Sequence, residues 1–394
     1  MRPDEFQPNT PGEVVRSVQG HWTYHPSPLP PDLSIDLPLM RQLSEADLAL
    51  GELAGVGRRL PNPLLLIRPF IRREAVLSSK IEGTVTQLDQ LFLFEAEPDN
   101  VAHPSDAGEV RNYVRATEYG LTAIRDGYPF SLGLVCEVHR CLLADVRGAD
   151  KRPGELRNRG VLIGREGQGY DAARFVPACH TQLRPLLDDF ITFLRDHRDL
   201  PIVVQLALMH YQFETIHPFN DGNGRVGRLL ITLMLCERKV LPEPLLYLSA
   251  YFERHRDEYY DGLLNVSRRG AWNEWIGFFA RGVVEQARDA AERATRLLDL
   301  AVGLRERAAR AINSAQVHGL VDELLASPFL TASRAAVVTG LAFKNAQRMV
   351  NKFVDAGLLR ETTGRKTHRI YCADAVLRLL DAPLSELPPA TANG

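Results

Sequence analysis

Between positions 217 and 228 the chain reads His-Pro-Phe-Asn-Asp-Gly-Asn-Gly-Arg-Val-Gly-Arg. That run places a base, a carboxylate, flexible backbone and two guanidiniums in one short segment. Glycines at 222, 224 and 227 permit backbone conformations and close approaches that let several N–H groups point at one phosphate. The apolar run from Leu229 to Leu235 predicts a buried helix, whose N-terminus adds a positive dipole end to the same place. Arg225 and Arg228 lie three apart and share a helical face, suited to gripping phosphate oxygens. Asp221 is a hard oxygen ligand of the kind that holds a magnesium ion bridging phosphates. His217 titrates near neutral pH and can take the proton of an attacking hydroxyl. Any one of these residues fits an ordinary loop. The ordered set predicts a site for a nucleoside triphosphate.

The run resembles the signature of the Fic (filamentation induced by cAMP) family, H-x-F-x-[DE]-G-N-G-R-x-x-R, and every specified position is matched. The resemblance implies an all-helical core and a protein adenylyltransferase, which moves AMP from ATP to a Ser, Thr or Tyr hydroxyl of a target protein. On that likeness His217 is the general base and Asp221 holds magnesium. Gly222, Asn223, Gly224 and Arg225 cradle the alpha and beta phosphates, Gly227 belongs to the same nucleotide-binding set, Arg228 holds the gamma phosphate, and Phe219 anchors the loop. The intact acidic residue and Gly-Asn-Gly core argue against the kinase and phosphocholine-transferase subgroups.

A second segment, Arg72 to Gly83, is helix-permissive and ends at a glycine suited to a helix C-terminus. Ser78 and Glu82 then share a face. The segment is similar to the inhibitory motif [ST]-x-x-x-E-[GN] of Fic proteins that carry it ahead of the catalytic core, here Ser78, Glu82 and Gly83. The likeness implies that Glu82 pairs with Arg228 and excludes the gamma phosphate. It also raises a reverse reaction, removal of AMP from a modified target. In the same family a Tyr-Tyr pair recurs on the adenine side, and Tyr259 and Tyr260 match it.

At 394 residues the chain predicts two or three domains, and 45% hydrophobic with 24% charged residues is ordinary globular composition. A net charge of −2 gives no overall nucleic-acid or membrane signal. No apolar run reaches the roughly 20 residues a membrane span needs, and the N-terminus lacks a signal-peptide profile, so a cytoplasmic protein is expected. Five scattered cysteines form no disulfide framework, and Cys136, His139 and Cys141 lack the second cluster a tetrahedral metal site requires.

The Pro-rich stretch to about residue 40 predicts an extended, irregular arm, pinned by Trp22 and Tyr24. Helical patterns follow at about 43–55, 63–80, 84–95, 107–126, Leu132 to Val146, 181–197, 201–216 and Trp272 to about Arg310. His210 in the helix before the motif reads as a core residue. Glycines and two short β-prone runs between Arg152 and Pro177 predict a hairpin. In Fic proteins a hairpin at this place is the flap, which aligns the target's main chain by strand addition. The charged second half of the long helix offers a self-association surface for a homodimer.

From 331 to 371 there are eight Lys or Arg against two Asp or Glu, a net of +6, so the remainder of the −2 chain carries −8. The order of short helix, polar helix and basic hairpin there resembles a winged helix-turn-helix. Such a module binds DNA or docks protein, and both readings stay open. A DNA-binding regulator is the alternative to the enzyme.

The expected fold is mainly α, a Fic-type helical core with a small β-hairpin flap plus a C-terminal winged helix-turn-helix. The expected division is 1–105 for the arm and inhibitory region, 106–290 for the core, 291–325 for a helical linker, 326–382 for the winged helix and 383–394 for a disordered tail.

Overall fold

The computed structural model describes residues 1–8, 10–58, 64–97, 104–164, 167 and 169–387. The protein is mainly helical, with two small antiparallel sheets. At its centre lie α7 (Ile202–Ile216) and α8 (Asn223–Glu237), joined by the short turn of the motif. Both are apolar almost all round, and that composition is stable only where neighbours cover every face. Their cover comes from α2 (Leu64–Ile81), α4 (Pro104–Arg125), α5 (Leu132–Leu142), α6 (Leu183–Asp196) and α11 (Trp272–Ala311). A β-carbon at Gly120 of α4 would collide with Leu233 of α8, so a glycine there lets these two helices approach closely.

The 40-residue α11 packs along α1 (Leu37–Arg58). Its buried Trp275, Phe279, Val283, Ala287, Ala290, Ala294, Leu297 and Ala301 recur every three or four residues. The helix runs unbroken past residue 290 into the C-terminal module. That module comprises α12 (Val317–Ala326), β3 (Phe329–Thr331), α13 (Ala332–Thr339), α14 (Phe343–Asp355), β4 (Arg360–Glu361), β5 (Ile370–Cys372) and α15 (Asp374–Asp381), with sheet order β3-β5-β4. This order is compatible with a winged helix-turn-helix. The Thr331 side chain caps α13 by accepting from Arg334 N at 3.1 Å, and Gly340 with φ 67° ends it. Residues 388–394, most of the expected disordered tail, lie outside the described residues; Leu384–Glu386 form a single helical turn.

Several expectations need correction. The N-terminal arm is not irregular: β1 (Gly12–Arg16) and β2 (Trp22–Pro26) form a hairpin, and α1 starts at Leu37 rather than 43. Tyr24 does pin it, fully buried between Phe6 and Phe175. The helix expected from 84 starts at Leu88, in α3 (Leu88–Ala96), because Gly83 with φ 93° ends α2 first. Helix α5 stops at Leu142, ahead of left-handed turns at Asp145 and Gly148. The hairpin expected at 152–177 is reduced to one antiparallel bridge, Ile163 with Phe175. The second run spends its next carbonyl on the arm instead, where Val176 O accepts from Tyr24 N at 2.9 Å.

All five cysteines are free thiols. Among the described residues no helix is long and apolar enough to cross a membrane.

Helix α2 is fastened by an uncommon device. Glu74, buried among apolar helices, accepts from Ser249 N at 3.1 Å, from the Ser249 hydroxyl and from Tyr113 Oη at 3.4 Å. Burial pushes this carboxyl up from 4.5 to about 7, against the pull of its hydrogen bonds and of Arg228. A carboxyl raised by folding penalises the folded state as pH climbs past 4.5, and the penalty is complete above about 7. At about 1.4 kcal/mol per unit the full penalty is a few kcal/mol. Glu74→Gln keeps the hydrogen-bonding shape without the titration. It should raise Tm by several degrees at pH 7.5 and hardly at pH 4.5, in thermal unfolding followed by circular dichroism; a pH-independent shift would refute the ionisation argument.

Candidate active site

The motif occupies the junction of two helix ends. His217 caps the C-terminus of α7 in a left-handed conformation, φ 51°, and Gly222 caps the N-terminus of α8 with φ 75°. His217 Nδ1 lies 3.2 Å from the carbonyl of Glu214. A carbonyl only accepts, so Nδ1 carries the proton and Nε2 keeps a lone pair for the cavity. Burial, together with the nearby Arg157, pushes the imidazole down to about 4, against that hydrogen bond. It is therefore a neutral base at physiological pH.

Glu82 and Arg228 meet. Arg228, 2% exposed, donates from Nη2 to Glu82 Oε1 at 2.7 Å, from Nε to the Ser78 hydroxyl at 2.9 Å and from Nη2 to Ser78 O at 3.0 Å. Burial pushes the Glu82 carboxyl up, but the Arg228 charge and hydrogen bond outweigh it and hold the group below its usual range. The carboxylate lies over Gly224, where any β-carbon would collide with its Oε1. Gly83, φ 93°, ends the helix just after it.

Asp221 accepts from Gly222 N at 2.6 Å through Oδ1, and Oδ2 has no hydrogen bond among the described residues. Arg225 turns away from the cavity, donating to Glu109 at 3.1 Å with Asp221 at 3.6 Å. The Asn223 side chain also turns inward, clamping Phe219 through its N–H at 2.8 Å and its carbonyl at 2.9 Å. Only the backbone of Asn223 is left to meet an anion. Phe219 is fully buried, stacked on His139 at 3.7 Å.

A cavity of about 450 Å³ joins Glu82, His217, Asp221, Gly224 and Arg228 to Glu214, Tyr259 and Tyr260, under Ile163 and Phe175. Its size suits a small-molecule ligand. Tyr259 belongs mostly to the core: it is 1% exposed, its hydroxyl sits 2.8 Å from His210 Nε2, and its ring stacks on Phe252 at 4.6 Å. Tyr260 is half-buried between Arg174 and Arg256, each 5.9 Å from its ring.

Residues 40–122 match the Fic/DOC family N-terminal profile, and residues 129–235 match the Fic/DOC family profile. Together the matches run through α2 and end inside α8, so they contain both Glu82 and the whole motif. This chain belongs to the Fic family. It is 38% identical over 172 residues to a probable protein adenylyltransferase of Aquifex aeolicus, covering 43% of this chain and 49% of the relative. It is 29% identical over 153 residues to protein adenylyltransferase fic-1 of Caenorhabditis elegans, covering 38% of this chain and 27% of the relative. The chain thus spans about half or less of the curated relatives it matches. Among solved structures, a Fic family protein from Desulfovibrio desulfuricans superposes with TM-score 0.58 at 23% identity, over 88% of this chain and 98% of the other. At that identity the likeness is one of fold.

The fold of this Fic protein brings in residues that motif reading missed. Arg157, 2% exposed, donates from Nε to His217 O at 2.8 Å and from Nη2 to Ala178 O at 2.7 Å, while its N–H donates to Pro218 O at 2.9 Å. It therefore holds the carbonyls around the base in place. His139 Nδ1 accepts from Gly154 N at 2.8 Å, so its Nε2 carries the proton given to Asp221 O at 3.0 Å. Glu109, 1% exposed, ties Arg225 to the exposed Arg147. Nothing in the local sequence of these three residues marks them, because the motif residues they hold lie 60, 82 and 116 positions away.

Removing one partner of a buried ion pair costs about 3–5 kcal/mol, since the other charge is stranded. Glu109→Ala should therefore lower Tm by roughly 4–6 °C. Arg147→Ala, at a 62% exposed side chain, should change it by no more than a degree or two. Scanning calorimetry of the two variants distinguishes them, and equal small shifts would show that Glu109 does not support Arg225.

Proposed function

We propose that this Fic protein is a protein adenylyltransferase that transfers AMP from ATP to a Ser, Thr or Tyr hydroxyl of a target protein, and that Glu82 restrains it. The observation that carries this reading is the shared cavity, where a neutral imidazole and a free carboxylate oxygen face the N-terminus of α8 and a buried guanidinium. The adenylyltransferase names of the relatives support the same reading.

In this reaction His217 Nε2 takes the hydroxyl proton as the target oxygen attacks the alpha phosphorus. The new O–P bond forms as the bond to the beta phosphate breaks, and pyrophosphate leaves. The backbone N–H groups of Asn223 and Gly224 face the phosphates at a helix N-terminus, while that of Gly222 is held by Asp221 Oδ1. Arg228 takes the terminal phosphate. Asp221 fits a magnesium ion shared with phosphates, because one of its oxygens is free and its side chain is 40% exposed. Such an ion would neutralise phosphate charge and orient the leaving pyrophosphate.

Restraint follows from competition for one guanidinium. While Glu82 holds Arg228 and lies over Gly224, a terminal phosphate meets a carboxylate instead of a cation. A charge-assisted hydrogen bond contributes about 1.5–3 kcal/mol, so Glu82→Gly should tighten ATP binding on the order of 10- to 100-fold. A carboxylate in that place is also equipped to orient water for removal of AMP from a modified target.

The test measures label transfer from α-labelled ATP with magnesium, in lysate, by the parent chain, Glu82→Gly and Glu82→Gly/His217→Ala. Strong labelling in Glu82→Gly alone is expected; labelling that survives loss of His217 would overturn the base assignment. The rate of Glu82→Gly should be flat from pH 6 to 8 and fall only as pH approaches about 4, where the imidazole protonates.

One observation favours a second reading, DNA binding by the C-terminal module. Arg334 and Arg360 are paired with Glu323 and Asp374, but Lys344, Arg348 and Lys352 on α14 and Arg365, Lys366 and Arg369 before β5 are exposed and form no salt bridge among the described residues. If most of these meet phosphates, affinity for duplex DNA should fall roughly 100- to 1,000-fold between 50 and 200 mM salt. His217→Ala should not alter it. Fluorescence anisotropy that shows salt-independent binding, or none, would leave protein docking as the module's role.

A further inference from the structure

Ser78 and Glu82 stand about one helical turn apart and both hold Arg228, but they hold different parts of it. Ser78 takes one edge of the guanidinium: its hydroxyl accepts from Nε at 2.9 Å and its carbonyl from Nη2 at 3.0 Å. Two bonds from adjacent nitrogens of a planar group to a single residue fix both the plane and its rotation. The Nη1 end faces the anion site, since a β-carbon at Gly224 would stand 3.0 Å from Nη1. Glu82 reaches this end, where its Oε1 accepts from Nη2 at 2.7 Å and crowds the same Gly224 position.

The two residues also differ in what a ligand can do to them. Glu82 lines the cavity with a side chain that is 33% exposed, whereas Ser78 is wholly buried and lies outside the cavity wall. The helix that carries Ser78 is pinned one turn earlier, where Glu74 accepts from Ser249 N at 3.1 Å. Tyr259 reaches the guanidinium as well, but from the cavity wall. A terminal phosphate entering at Gly224 therefore displaces Glu82 and leaves Ser78 in place.

We propose, resting on the assignment of Arg228 to the terminal phosphate, that Ser78 is a positioning residue of the active enzyme rather than an inhibitory one: it holds the Arg228 guanidinium in the orientation that receives the phosphate. The likeness in sequence groups Ser78 with Glu82, yet their places on Arg228 give them opposite effects on ATP. Glu82 withholds the cation, and Ser78 presents it. With the hydroxyl gone, the Nε–H loses its acceptor in a site closed to water, and the guanidinium is free to turn its donors away from Gly224.

The experiment is isothermal titration of the full chain carrying Glu82→Gly with ATP and with ADP, each with magnesium, alone and combined with Ser78→Ala or Ser78→Thr. Ser78→Ala should weaken ATP about tenfold, the scale of one hydrogen bond to a charged group, while ADP, which lacks the terminal phosphate, changes by less than about threefold. Ser78→Thr keeps the hydroxyl, and the motif admits it, so the ratio of ATP to ADP affinity should hold. ADP binding also reports folding; should Ser78→Ala lose both nucleotides, Ser78→Cys, which fills the same space with a weak acceptor, is read against the same expectation. A ratio unchanged in Ser78→Ala, or lost equally in Ser78→Thr, overturns the inference and leaves the nucleotide reading standing. So does a rise in label transfer when Ser78→Ala is placed in the chain that retains Glu82, because an inhibitory residue behaves that way. A Glu82→Gly chain that binds ATP no more tightly than ADP overturns the assignment of Arg228 and the inference with it.

Discussion

A guanidinium buried as deeply as Arg228 has to be satisfied, and much of this structure follows from how that is done. An unpaired cation in such a place would cost several kcal/mol. Ser78 supplies two acceptors from the body of α2, and Glu82 supplies the opposite charge from just beyond its end. The requirement fixes α2 against α8. It also explains Gly224, because the carboxylate that neutralises Arg228 needs the space a side chain would fill. The same cation lowers the Glu82 carboxyl and pulls against the upward shifts of Glu74 and Glu214, so three carboxyls in one region are tuned from a single charge.

Around that pair the motif gains its precision from helix ends rather than from a rigid loop. The left-handed residues His217 and Gly222 bracket the turn, and buried side chains, two of them from distant segments, consume the polar groups around it. Arg157 takes carbonyls on the His217 side, His139 takes the Asp221 carbonyl, and Asn223 closes on Phe219. What remains unspent faces the cavity: the Nε2 of His217, the second oxygen of Asp221, and the N-terminal N–H groups of α8.

The parts of this arrangement legible in the sequence are those written in contiguous residues. The motif, the apolar helices on either side of it, the 272–311 helix and the helical spacing of Ser78 and Glu82 all lie within short windows. Orientation was not legible. Arg225 and Arg228 are equivalent by spacing, yet one turns to Glu109 and the other to the cavity, because Glu109 sits 116 positions away on α4. Asn223 looks like a phosphate ligand until its side chain is seen to close on Phe219, and Tyr259 looks like an open face for the adenine until its hydroxyl is found on His210. The N-terminal hairpin escaped because prolines obscure alternation, while its partner, residue 176, lies 152 positions from Tyr24.

The anchoring of α2 decides how its end can give way. Glu74 binds Ser249 and Tyr113, Arg73 donates to the Leu380 carbonyl of the C-terminal module, and Ser78 is wholly buried against Arg228. Moving the helix as a body would break all three contacts and strand a carboxyl and two guanidiniums. Glu82 is different: its side chain is 33% exposed and follows the last helical residue, next to a left-handed glycine. Rotating it away breaks one ion pair and leaves Arg228 its two bonds to Ser78. The cheaper path is therefore local, and a phosphate arriving at Arg228 supplies the replacement charge that makes it cheaper still. Because the middle of α2 is held by the C-terminal module, that module contributes to the stiffness against which Glu82 acts, although it lies outside the cavity.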